Sequence, residues 1–75
     1  MIITTINNNK LFIQFDRLVV SGMIYITDNK NFKSDQKIRN SDFEVLDLPK
    51  SIDKIHIHIE TDKNKISKTI NLIQQ

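Results

Sequence analysis

Between Ile55 and Glu60 the chain reads Ile-His-Ile-His-Ile-Glu. Strand side chains point alternately to opposite faces, so three isoleucines line one side and His56, His58 and Glu60 the other. A helix cannot gather those isoleucines on one stripe, because residues two apart lie about 200° round its axis. The segment is a half-buried strand, and it sets the reading of its neighbours.

The chain has 75 residues and no cysteine. Residues 1–75 are expected to form a single domain. A chain this short buries only about 60% of the surface its unfolded form exposes. Without disulfides or thiolate metal sites, close packing or a partner subunit must supply stability. The apolar supply is rich in isoleucine, 14 residues in all, and this β-branched side chain suits a pleated surface. Alanine is absent while lysine and asparagine are frequent, the composition of an AT-rich genome. The lysines and asparagines therefore need no functional explanation of their own.

Asparagine-rich clusters cut the sequence into short apolar segments at the spacing of small sandwiches and barrels. The expected strands are Ile2–Ile6, Leu11–Asp16, Met23–Thr27 (reached from Leu18–Val20 through Ser21-Gly22), Phe32–Ile38, Phe43–Leu46, Ile52–Glu60 and Ile66–Ile73. Asn7-Asn8-Asn9-Lys10, Asp28-Asn29-Lys30-Asn31 and Arg39-Asn40-Ser41-Asp42 read as turns, because asparagine tolerates left-handed backbone. Pro49 cannot donate to a ladder and breaks the chain before the histidine strand. No segment carries ten residues of helical periodicity. The reading is all-β: a small antiparallel β-sandwich of six or seven strands, immunoglobulin-like in plan, with a small closed barrel as the alternative.

The run Phe43-Glu44-Val45-Leu46-Asp47-Leu48-Pro49-Lys50, the histidine strand, and the closing hairpin from Asp62 to Ile70 carry a family likeness. From about Lys10 to Gln75 the layout resembles the small β-sandwich domains at the C-termini of secreted Bacteroidetes proteins, among them the type IX secretion sorting domains. The resemblance implies a sandwich and a secretion-associated role.

Three groups of residues invite chemistry. His56, His58 and Glu60 share a strand face, and His-x-His with a nearby carboxylate is a way to offer ligands to zinc. The solvent face of an amphipathic strand would look the same. Lys30, Lys33, Lys37 and Arg39 surround Phe32, a pattern of single-strand nucleic-acid binders, but Asp28, Asp35 and Asp42 interrupt it. With a net charge of +2, nucleic acid is not the expected partner. Catalysis has little support: one glycine excludes a phosphate loop, and every serine but Ser67 sits in a turn-like or polar edge context. No cofactor is implied.

The apolar excess points elsewhere. Phe12 opposes Leu11, Ile13 and Phe15, Tyr25 opposes Ile24 and Ile26, and Leu18 and Val19 lie side by side. A small two-layer domain cannot bury both faces of so many strands, and exposed apolar patches mark protein interfaces. Phe12, Leu18, Val19 and Tyr25 are the expected interface residues. The start of the chain has no basic and apolar leader pattern, and no apolar run is long enough to span a bilayer. These features together suggest a non-catalytic structural or interaction module. It would act by forming a homo-oligomer or docking into a larger assembly, such as a phage virion or a surface structure, and it would stay where it is made.

Overall fold

A computed structural model describes residues 2–72. They form five antiparallel strands and no helix: β1 (Ile2–Asn7), β2 (Lys10–Thr27), β3 (Lys33–Asp47), β4 (Lys54–Thr61) and β5 (Lys65–Asn71). The expected six or seven strands become five because two pairs of segments fuse. The chain bends at Asp16–Leu18 and at Asn40, and in both places it stays in one ladder instead of turning out of the sheet.

The result is one curled sheet, an open half-barrel, rather than the two-sheet sandwich or closed barrel. β2 runs through its middle. One edge of β2 carries β3 along both halves, with Leu11 opposite Leu46 near one end and Thr27 opposite Lys33 at the other. Its other edge carries β1 on the first half, Ile2 opposite Phe15. On the second half that edge carries β4, Thr27 opposite His56, and β5 follows beyond β4. β1 and β5 do not pair with each other, which leaves the barrel open along a seam. The Lys68 ammonium crosses this seam and donates to Thr4 Oγ1 at 2.9 Å.

The sheet curls because of its corner. From Gln14 to Val19, β2 advances five residues while its partners on β3 move only from Phe43 to Ser41. Extra residues on one strand of a pair bend it and raise its twist. The bend also changes which residues face inward: Leu11, Ile13 and Phe15 before it, Ile24 and Ile26 after it. These pack with Ile55, Ile57 and Ile59 of β4 and with Val19, Ile38, Leu46 and Leu48 in one core. The alternation in β4 is realised as read, isoleucines in and histidines out. Among the described residues no polar or charged side chain is buried.

The turns use asparagine as expected. Asn8, Asn9 and Asn29 have positive φ, and so does Asn40 at the bend of β3. Asp28 stitches its turn by accepting from the Lys30 and Phe32 amides at 2.8 and 2.9 Å. These bonds favour the ionised carboxylate, the Phe32 bond most, and hold its pKa below the ordinary 3.8. The single glycine, Gly22, is needed for close approach: a side chain there would meet the Glu60 carbonyl oxygen of β4.

Candidate functional site

The curl gives the molecule two outer faces, and the candidate residues divide between them. On the second half, register places side chains in cross-strand rows. Asp35, Tyr25, His58 and Ser67 form one row, and Lys33, Thr27, His56 and Thr69 another. Facing pairs on one side of an antiparallel sheet lie within contact distance, so these rows decide which groups meet.

His58 sits at the centre. Its Nδ1 lies 2.8 Å from Ser67 Oγ, and its Nε2 lies 3.0 Å from Glu60 Oε2. The Tyr25 ring tilts against the imidazole, with centroids 6.1 Å apart. His56 uses its own Nδ1 on Thr69 Oγ1 at 2.9 Å. The order hydroxyl, imidazole, carboxylate is that of a nucleophile, its base and the group that orients the base. Its surroundings are open. His58 and Glu60 side chains are 40% and 42% exposed, so water is not excluded. The hollow beside them holds about 200 Å³, below the several hundred Å³ of typical ligand pockets. β4 is paired on both sides, which occupies the amides that would otherwise stabilise an oxyanion.

The same geometry bears on the metal expectation. Among the described residues no three His, Cys, Asp or Glu side chains are placed to hold an ion. His56 and His58 each turn Nδ1 to a hydroxyl of β5, and Glu60 takes the remaining nitrogen of His58. His56, His58 and Glu60 share a face, but they do not converge.

The other outer face belongs to the first half, where β1, β2 and β3 lie side by side. Its rows are Ile3, Gln14, Phe43; then Thr5, Phe12, Val45; then Asn7, Lys10, Asp47. The Phe12 and Phe43 rings stack with centroids 6.2 Å apart and planes 25° apart. Ile3, Phe43 and Val45 are exposed by 56%, 46% and 37%. Lys10 and Asp47 close the patch with an ion pair at 2.5 Å.

The four expected interface residues are therefore scattered. Phe12 is on the apolar face of the first half, half-buried under its neighbours. Tyr25 is exposed on the histidine face, and Leu18 is exposed at the corner. Val19 is not a surface residue: the corner turns it inward, where it is 4% exposed in the core. Sequence reasoning missed Ile3, Phe43 and Val45, because nothing local says that β3 folds back beside Phe12. Phe32, expected between the lysines, packs against the core instead.

Among the described residues, no helix is long and apolar enough to cross a membrane. Compared with known proteins, the chain matches no family model, no curated protein and no solved structure.

Proposed function

We propose that this chain is a non-catalytic interaction module that works by associating with protein, first of all with itself, within a larger assembly such as a virion or surface structure. The apolar face of the first half carries this reading. Ile3, Phe12, Phe43 and Val45 form adjoining rows on three strands, with Phe12 and Phe43 stacked. A contiguous apolar patch bordered by an ion pair has the composition of a protein interface. The open histidine face favours no enzyme by the same test, since it offers neither enclosure nor oxyanion donors.

Sedimentation over a wide concentration range tests the reading. The wild type should associate as concentration rises. Phe43→Lys should weaken that association while the β-sheet circular dichroism stays unchanged, since Phe43 is largely outside the core. A chain that sediments as a monomer at every concentration would end the proposal.

A further inference from the structure

A half-barrel has free edges, and among the described residues these are the outer edges of β1, β3 and β5. Each free edge offers amides and carbonyls that no strand pairs, a template for another strand. On β3, however, Ser41 Oγ holds the Phe43 amide and carbonyl and Gln14 Nε2 donates to the Asp42 carbonyl, bonds a newcomer would have to displace or leave in place. Charge distinguishes the edges. β5 carries Lys65 and Lys68 and no acid, so a second β5 laid against it would bring lysines together. β1 carries no charge, but Lys68 reaches across the seam to Thr4 and guards it.

β3 differs in both length and pattern. It is 15 residues long and pairs only with β2. Its N-terminal half holds Lys33, Lys37 and Arg39 with one acid, Asp35. Its C-terminal half holds Asp42, Glu44 and Asp47 and no cation. Lysines that merely blunt an edge repel any newcomer. An edge with its two signs segregated selects a partner with the reverse order.

We infer that the partner is a second copy of this chain, joined along β3 about a two-fold axis. This rests on the reading that the chain self-associates, and it names the surface. A two-fold axis makes the two β3 strands antiparallel. With the axis near the middle of β3, the basic half of each lies against the acidic half of the other. Full overlap places the axis at Asn40 and sets Lys33 opposite Asp47 and Lys37 opposite Phe43. Asn40 is also where β3 bends, with φ 50°. The bend is sharp enough for Gln36 Nε2 to donate to Glu44 Oε1 at 2.5 Å across the concave side. An axis normal to the sheet at that point keeps both concave sides facing the same way, so two bent strands nest. The paired half-barrels become one continuous sheet, and the long stem of Lys37 from one copy covers the Phe43 ring of the other.

Charge reversal with rescue tests this. One protein carries Lys33→Glu with Lys37→Glu, another Asp42→Lys with Asp47→Lys. All four positions are exposed. The wild type should form a dimer that added salt weakens. Each variant alone should dimerise about tenfold or more weakly, since like charges then face each other. An equimolar mixture should restore the dimer as a heterodimer. Should a double variant lose the wild-type circular dichroism, Lys33→Glu and Asp47→Lys singly make the same test. A wild-type dimer that neither variant weakens, or a mixture that stays monomeric, overturns the β3 interface and leaves self-association standing. A monomeric wild type overturns both.

Discussion

Gly22→Ala pits a small gain against a larger clash. Gly22 lies between two neighbours, opposite Ile38 of β3 and Thr61 of β4. Its φ is not positive, so alanine can adopt the backbone conformation. At such a position the methyl group restricts the unfolded chain and usually stabilises by about 0.4–1 kcal/mol. Here the added carbon would stand 2.6 Å from the Glu60 carbonyl oxygen and 3.3 Å from both Ile38 Cδ1 and Thr61 Cα. Ile38 Cδ1 is the end of a flexible side chain and can rotate away. The carbonyl cannot, because β4 is held by ladders on both sides and Ile59 beside it is locked in the core. Forcing an extra carbon into a packed site costs about 1–3 kcal/mol. The clash wins by about 1–2 kcal/mol, and for a domain of this size each kcal/mol moves Tm by about 4–8 °C. A thermal melt followed by far-ultraviolet circular dichroism should show Tm lower by about 4–16 °C for Gly22→Ala and lower still for Gly22→Val. Ser21→Ala, one residue away and exposed, should stay within about 0.5 kcal/mol of the wild type. A Tm for Gly22→Ala equal to or above the wild type would show that β4 does not press on β2 as described.

Ile57→Ala should cost about 2–5 kcal/mol, since Ile57 is 2% exposed in the core, while His56→Ala should cost no more than about 1 kcal/mol for its bond to Thr69; urea titrations giving equal losses would overturn the two-faced reading of β4. The Asp28 turn should loosen in acid. Its folded pKa is depressed, so the stabilisation is present above the ordinary carboxyl value of 3.8 and fades as pH falls through the lower folded value. Amide exchange at Lys30 and Phe32 should accelerate there in the wild type. Asp28→Asn should lack this acid-dependent step, and a wild type whose turn amides ignore that pH range would remove the carboxylate from the account.

The residues that announce local structure announced it well. Alternation in Ile55–Glu60 gave β4 with its faces assigned, and the asparagine clusters gave turns whose positive-φ residues are Asn8, Asn9 and Asn29. The polar cluster Arg39–Asp42 reads as a turn and Asp16–Arg17 as a break between segments, yet the chain bends at both places without leaving its ladder. A bend and a turn draw on the same polar residues, and only distant pairing tells them apart. That one difference accounts for the strand count, for the open half-barrel and for Val19 pointing inward. The histidine face shows the same limit. Strand alternation put His56, His58 and Glu60 together, but the rings are claimed by Ser67 and Thr69, which register with β5 brings opposite. Nor could local pattern reveal that Phe43 would stack on Phe12, since that contact depends on β3 doubling back along β2.

β2 and β3 run unbroken past the corner, like two rails serving both ends of a bridge. β3 in particular belongs to both ends, because its two halves pair with the two halves of β2 on either side of the corner. A cut near Arg17, by gene truncation or by proteolysis, would therefore put the Phe43–Asp47 end of β3 in one fragment and its Lys10–Gln14 partners in the other.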